Sequence, residues 1–362
     1  MASITTIPPE LWQDIIALAC TGSEPTGKSL ALSCRFLHVQ SFNPRFQSLA
    51  LSSLAQLESF LDFARPFAPN WTPPVRHLWL AFLDESGPPP TTWTTRYPDM
   101  PYWPGQPDSR SFAAGDARYA TAISELLRLA ASTLRSLCVL QNSWQPLPPI
   151  QVSRLPLLRE LAIMGSTAAL LHPTSFASED EDEEEALSMS FPSLRRFHSV
   201  SFTPYTRTAI LAPSSGLSNL PITHLCISGV SEADKNTRFA HALARALGVP
   251  EPVPAARHIS QGPENEAGTE QVPVQREAEA PLAGVRCLVV QGCHWDPCSD
   301  GTLGDWEAVM DLLGDVGRTT REVGGACALM LDQEWRSNLD WRARLWADWM
   351  SRIKGGQGCW VV

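Results

Sequence analysis

The chain has 362 residues, a formal net charge of −10 at pH 7, and a hydrophobic content of 44%. This length allows one large domain or two smaller ones with a sizeable core. The negative charge argues against nucleic acid as a partner. No stretch approaches the roughly 20 consecutive apolar residues that a membrane span requires, so we expect no membrane partner either.

The cysteines and the N-terminal residues bear on the cellular compartment. The first residues show neither the basic segment nor the apolar core of a secretory signal. The nine cysteines are spread along the whole chain, which favours reduced, mostly buried thiols over a disulfide framework. We therefore expect an intracellular protein, either cytoplasmic or nuclear.

The first predicted element is a short helix that begins at the proline pair Pro8 and Pro9. Proline fits the first turn of a helix, and an acidic residue directly behind it is favoured by the positive end of the helix dipole. Leu11, Ile15 and Leu18 then recur at helical spacing. Spacing alone predicts that this apolar stripe packs on the body of the same protein.

About the first fifty residues resemble an F-box. Residues 7–16 start Ile-Pro-Pro-Glu-Leu and end Ile-Ile, similar to the usual Leu-Pro-x-Glu-Leu-x-x-x-Ile-Leu opening. Residues 32–38, Leu-Ser-Cys-Arg-Phe-Leu-His, resemble its Val-Cys-Arg-x-Phe end, and residues 42–49 resemble the strand by which the chain often leaves the module. The usual leucine-rich middle is replaced by residues 21–27, which are expected to break the helix.

The resemblance implies a function in protein degradation. F-box proteins dock on the Skp-type adaptor of a cullin–RING ubiquitin ligase and hold a protein substrate, so this chain would be a substrate-recognition subunit. It would not be an enzyme itself and would use no cofactor. The adaptor-binding residues that the resemblance implies are Ile7, Pro8, Leu11, Ile15, Ile16, Leu30, Cys34 and Phe36.

A less favoured alternative uses the same segment. Gly22 to Ser29 matches the nucleotide-binding P-loop pattern G-x-x-x-x-G-K-[ST], and Ala328 to Asp332 resembles the apolar strand with a terminal acid that completes such a site. However, a P-loop follows a buried strand, whereas a helix is predicted before Gly22. Pro25 also removes one amide that a phosphate would use.

After this module the apolar spacing L-x-x-L-x-L recurs, with its last two positions alternating as on one face of a short strand. Helices are predicted at Asp116–Ala131, Arg238–Leu247 and Asp305–Leu313, each near a copy of the spacing. The order resembles an irregular leucine-rich-repeat solenoid, an α/β fold of parallel strands and helices. The copies begin at Val75, Leu134, Leu158, Leu194, Ile222, Val285 and Ala326.

The predicted organisation has four parts. Residues 1–48 form the F-box-like helices, and residues 49–250 form the first part of the repeat body, with an acidic disordered loop at about 177–187. Residues 251–281 are a disordered insertion rich in Pro, Glu, Gln and Ala. Residues 282–362 complete the body and end in a Trp-rich helix from Asp332 to Lys354, which is expected to cap the last strand.

No motif predicts an active site or a metal site. Cys293 to Cys298 contains two cysteines and a histidine, but zinc sites usually combine two such clusters. His77 and His224 occupy positions that are expected to face solvent, and no catalytic triad order is present. A leucine-rich interaction scaffold without a ligase role is the second alternative, and it predicts that the first fifty residues pack on the body.

Overall fold

The computed structural model describes residues 7–20, 24–67, 71–82, 109–141, 150, 152, 154–165, 190–201, 204–212, 217, 220–230, 238–250, 282, 284–292, 303–322, 328–332 and 341–360. The helices are α1 (Pro9–Ala19), α2 (Glu24–Ser33), α3 (Arg35–Ser41), α4 (Leu54–Ala64), α5 (Ser109–Ala130), α6 (Pro204–Leu211), α7 (Arg238–Leu247), α8 (Leu303–Glu322) and α9 (Trp341–Ile353). The strands are β1 (Ser48–Leu51), β2 (His77–Phe82), β3 (Ser136–Gln141), β4 (Glu160–Met164), β5 (Arg196–Val200), β6 (His224–Val230), β7 (Cys287–Gly292) and β8 (Ala328–Asp332).

Three predicted features cannot be compared with the structure. The acidic loop at about 177–187, the insertion at 251–281 and the Cys293 to Cys298 cluster lie outside the described residues. Among the described helices, none is both long enough and apolar enough to cross a membrane.

Within the described residues, the eight strands form one parallel sheet whose order follows the chain from β1 to β8. The fold is therefore α/β, as expected. Parallel neighbours cannot be joined by a tight hairpin and require crossover connections, and α4, α5, α6, α7 and α8 lie in such connections. Because β7 pairs with β6, the residues on the two sides of 251–281 belong to the same sheet.

The apolar spacing found in the sequence determines the register of this sheet. Its middle positions pair across the sheet in one row, and its last positions pair in the next row. The first row contains Leu78, Leu137, Leu161, Phe197, Leu225, Leu288 and Leu329, and the second contains Leu80, Val139, Ile163, Ser199, Ile227, Val290 and Leu331. Leu49 and Leu51 of strand β1 extend both rows. The apolar spacing of β1 was not among the predicted copies, because this segment had been interpreted only as the strand by which the chain leaves the F-box-like module.

One face of the sheet packs on the crossover helices. The apolar row residues of β1 to β7 join buried residues of α4 to α8 in a single apolar cluster, in which Leu57, Leu126 and Leu243 are fully buried. Helix α7 has the predicted bounds, whereas α5 and α8 are longer than predicted. The alternation of strand side chains therefore places the copies of the spacing on β1 to β7 on the helical side.

The second face of the sheet is covered by the C-terminal segment. Helix α9 buries Trp341, Leu345, Trp349 and Ile353 in a cluster with side chains of β2 to β5, and Trp360 extends the cover to β6 and β7. The expectation that this helix caps the last strand was wrong, because Trp349 lies 5.8 Å from Trp79 of β2, ring centre to ring centre. The second-face residues of the strands are mostly apolar, and parallel strands of that composition need cover on both faces.

A chain of charged side chains fixes the position of α9. Glu160 of β4 accepts hydrogen bonds from Arg352 of α9 at 3.1 Å and from Arg196 of β5 at 2.7 Å. The Arg352 side chain is only 7% exposed. Since a buried guanidinium without its carboxylate would be strongly unfavourable, this pairing holds α9 in one register across the sheet.

Candidate functional site

Helix α1 has two faces with different environments. Ile16 and Cys20 are buried, and Trp12 packs edge-on against Phe36 of α3 with ring centres 5.9 Å apart. These residues recur every four positions, so they form one stripe of the helix. This stripe joins α1 to α2 and α3 in a small three-helix module.

The opposite stripe of α1 is apolar but exposed. Leu11 is 53% exposed and Leu18 is 74% exposed, and Ile7 and Ile15 continue the same face. Leu32 of α2 and Val39 of α3 add two more exposed apolar side chains. Of the nine large hydrophobic side chains exposed in the described part of the chain, these six lie between residues 7 and 39. Such a concentration is typical of a protein-binding surface.

The structure separates the predicted adaptor-binding residues into two groups. Ile7, Pro8, Leu11, Ile15 and Cys34 are exposed, and Leu30 and Phe36 are half-buried.

Ile16 is the exception, because it is 1% exposed and packs inside the module. Its assignment to the binding surface was wrong, because Ile16 is rotated about 100° around α1 from its exposed neighbour Ile15 and so reaches the buried side of the helix. Leu18, Leu32 and Val39 were not among the predicted binding residues. The helical spacing of Leu18 from Leu11 and Ile15 is the signal that could have included it.

The segment that matches the P-loop pattern is helical from Glu24 onward, in α2. A helix, α1, precedes it instead of a strand. Gly27 lies so close to Arg45 that a Cβ at this position would be 2.9 Å from the Arg45 Cβ, so the glycine serves helix packing. Lys28 is exposed. This geometry does not fit a phosphate-binding loop, and our expectation that residues 21–27 break the helix was wrong from Glu24 onward.

Aromatic side chains join the three-helix module to the sheet. Phe42 and Phe46 pack with Phe63 and Trp71, with the Phe46 and Trp71 ring centres 5.6 Å apart. The Arg45 guanidinium lies 4.7 Å from the Phe46 ring centre, a cation–π contact. The module is therefore attached next to β1 and α4, while its apolar stripe remains exposed. This arrangement differs from the scaffold alternative, in which α1 buries its stripe on the body.

The body presents a column of exposed arginines. In most copies of the apolar spacing an arginine follows the first apolar position. The backbone carbonyl at this position accepts two hydrogen bonds from the next copy of the spacing. The Arg76 carbonyl oxygen, for example, accepts from the backbone N–H of Arg135 at 2.8 Å and of Ser136 at 3.0 Å. Neighbouring parallel strands lie about 4.8 Å apart, so the column is closely spaced. Its members are Arg76, Arg135, Arg159, Arg195 and Arg286.

His77 and His224 are partly buried, contrary to the expectation of solvent-facing side chains. His77 Nδ1 lies 2.8 Å from the Ser136 hydroxyl oxygen, and burial lowers the pKa of His77 to about 4. Burial also lowers the pKa of His224. Both lie on the second face of the sheet, next to the C-terminal cover.

A second group of polar side chains lies under that cover. His198, Cys226 and Cys359 bring one nitrogen and two sulfur atoms within 4.8 Å of one another. The hydrogen bond with Cys226 and the nearby His198 hold the pKa of Cys359 well below its usual value. Sequence reasoning missed this group, because its members are far apart in the chain and none has a motif around it.

Known proteins offer no guide to either site. No protein-family model matches this chain, and no curated protein or solved structure is significantly similar to it.

Proposed function

We propose that this chain is the substrate-recognition subunit of a Skp–cullin–F-box type ubiquitin ligase. The observation that supports this proposal best is the exposed stripe Leu11, Ile15 and Leu18 of α1, with Ile7 just before the helix, while Ile16 of the same helix is buried. Ile7, Leu11 and Ile15 are three of the eight residues that the F-box resemblance assigns to the adaptor. The chain itself performs no covalent chemistry in this function.

Burial of the stripe provides the driving force for docking. Burial of one large aliphatic side chain from full exposure contributes about 1.5–3 kcal/mol. The four stripe residues are 37–74% exposed, so each contributes part of this amount on docking. Together they offset part of the loss of translational and rotational freedom that association entails. Pro8 precedes the first residue of α1 and has extended backbone angles, so it sets the direction from which the chain approaches the helix.

The aromatic joint between module and sheet suits a subunit that must present its target at a fixed distance. Phe42, Phe46 and Trp71 pack together, and the Trp71 indole donates a hydrogen bond to the Asn43 side chain at 2.9 Å. Gln47 also donates to the Ala17 carbonyl of α1. Together these contacts join two surfaces, one for the adaptor and one for the target, in a single unit.

For the target we propose a surface outside the covered face of the sheet. The strand order follows that of a leucine-rich solenoid, which we propose as the repeat architecture, but α9 and Trp360 already occupy the face that a solenoid leaves open. Ligands of open parallel sheets commonly bind at the carboxyl ends of the strands. We propose the carboxyl ends of β2 and β4, at Phe82 and Met164, as part of this surface.

The test is co-purification of the full chain with a Skp-type adaptor. The double variant Leu11→Asp, Ile15→Asp should fold normally and lose adaptor binding, because it places two charges on the docking stripe. Leu157→Asp is the matched control, since Leu157 is an exposed leucine of the body, 42% exposed. The proposal fails if the wild-type chain does not bind the adaptor, or if the double variant binds as well as the control.

The scaffold alternative predicts a different outcome. A chain without a ligase role would not bind the adaptor, and its first fifty residues would pack on the body and be protected there from proteolysis. A magnesium–nucleotide titration tests the remaining alternative, in which Lys28→Ala would remove binding. Because α2 is helical and Lys28 is exposed, we expect no nucleotide binding by either the wild type or this variant.

A further inference from the structure

We propose that Cys226, Cys359 and His198 bind a zinc ion between the second face of the sheet and the C-terminal turn. The site is independent of the adaptor-docking function. It would connect β5 and β6 to the turn Gly358–Trp360 and so hold the C-terminal cover in place.

The distances among the three side chains suit tetrahedral zinc. The Cys359 sulfur lies 3.6 Å from His198 Nδ1, and the three potential ligand atoms lie within 4.8 Å of one another. Zinc bonds of about 2.3 Å to sulfur and about 2.0–2.1 Å to nitrogen, at a tetrahedral angle, place the two ligand atoms about 3.6 Å apart. The side chains are therefore close to the arrangement that the ion requires.

Neighbouring polar groups orient His198 for metal binding. The Ser228 hydroxyl donates to Gln291 Oε1 at 2.6 Å, so its oxygen is left to accept the N–H of His198 Nε2 at 2.8 Å. The proton then resides on Nε2, and the lone pair of Nδ1 faces the Cys359 sulfur. A hydrogen bond from the second ring nitrogen to a neighbouring group is the usual support of a zinc-binding histidine.

Zinc binds cysteine as the thiolate, so zinc binding would release the thiol protons of Cys226 and Cys359.

A buried carboxylate on the covering helix α9 is the candidate for a fourth ligand, although its oxygens are not among the ligand atoms that lie within 4.8 Å of one another. Asp348 Oδ2 is buried and has no hydrogen-bond partner among the described residues. A cation would compensate this buried carboxylate. Asp348 lies on α9, and its ligation would also attach that helix to the sheet.

A disulfide between Cys226 and Cys359 is the main competing interpretation. It would use the two sulfur atoms but would give no role to the oriented His198 or to the unpartnered Asp348 oxygen. A catalytic Cys–His pair is less suitable, because His198 is fully buried and the Trp360 ring lies 6.3 Å from its ring. The combination of nitrogen, sulfur and oxygen ligands favours zinc.

Metal analysis of the full-length protein, purified with a reductant and without chelator, tests the proposal. We expect about one zinc per chain, and replacement by Co²⁺ should give the sulfur-to-cobalt charge-transfer absorption of thiolate ligation. Cys359→Ser and His198→Gln should each lower the bound metal at least tenfold. The matched control Cys34→Ser changes an exposed cysteine and should keep the full metal content.

Two results would overturn the proposal. One is wild-type protein with free thiols that retains no stoichiometric zinc and gives no charge-transfer band on titration with Co²⁺. The other is a Cys226–Cys359 disulfide, identified by mass spectrometry in metal-free protein. Both measurements use the wild-type chain, so they decide the question even if Cys359→Ser fails to fold.

Discussion

Helix α1 exposes Leu11 and Leu18 to solvent, whereas helix α9 buries Trp341, Leu345 and Trp349 against the sheet. Both helices are short, and both carry apolar residues at helical spacing. They differ in what lies opposite: α9 faces a broad apolar surface of four strands, whereas α1 packs on two short helices and the turn Pro44–Phe46. Helical spacing therefore predicts an apolar stripe, but the size of the surface available decides whether the stripe is buried within the chain.

The comparison can be tested most strongly at the cover of the sheet. Trp349→Ala should lower the free energy of unfolding by about 3–5 kcal/mol, because it leaves a cavity beside Trp79. Trp346→Ala is the control, since Trp346 is 39% exposed and should cost clearly less. Urea unfolding followed by circular dichroism measures both. Equal losses would show that α9 does not cover the sheet as described.

The sheet should also be intolerant of added atoms between its strands. Gly229 has φ +86°, and a Cβ there would lie 2.5 Å from the Ser201 carbonyl oxygen, so Gly229→Ala should cost about 3–4 kcal/mol in the same assay. Gly355 has a similar φ of +89° with nothing within 4 Å of the added Cβ. Gly355→Ala should cost only about 1–2 kcal/mol, from backbone strain alone. A similar cost for both would contradict the close approach of β5 and β6.

Two consecutive isoleucines test the contrast inside the module. Ile16 is 1% exposed, and Ile16→Ala should cost about 2–4 kcal/mol of stability. Ile15 is 48% exposed, and Ile15→Ala should change stability by less than about 0.5 kcal/mol while weakening adaptor binding. Thermal unfolding and a pull-down separate the two effects. The assignment of the faces would be wrong if Ile15→Ala were the more destabilising change.

The smallest expected effect is a pH dependence at the edge of the covered face. The pKa of His77 is lowered from 6.5 to about 4, mainly by burial, so at pH 5 the unfolded chain binds a proton that the native protein does not. Stability should therefore fall by about 2 kcal/mol as the pH decreases from 7 to 5. His77→Gln should remove this loss, and His38→Gln, at an exposed site, should not. If the stability of His77→Gln depended on pH in the same way as that of the wild type, His77 would not be shielded by the C-terminal cover of the sheet.

The strands could be predicted from the sequence because their signal is local. Three apolar positions at L-x-x-L-x-L spacing specify both a strand and the face that it buries, which is why Leu78, Leu137 and Leu161 were found and lie in register. The same spacing at Phe46, Leu49 and Leu51 was overlooked, because those residues had already been given a place in the F-box resemblance. A single segment can carry both signals.

The remaining features depend on contacts between distant parts of the chain. Helix α2 contains Pro25 and Gly27, which favour a loop by local preference, but packing of Gly27 against Arg45 outweighs that preference. The position of α9 and the meeting of His198 with Cys359 involve residues separated by more than a hundred positions. Spacing within one segment carries no information about such pairs.

The contact between Arg352 and Glu160 joins residues 192 positions apart. During synthesis on the ribosome, strands β2 to β7 are completed well before α9 emerges. The second face of these strands therefore remains exposed until α9 and Trp360 can pack on it. That interval exposes a row of apolar strand residues to other nascent chains. We expect this protein to need chaperone protection until its last helix is made, and a ribosome stalled before residue 341 should hold an aggregation-prone intermediate.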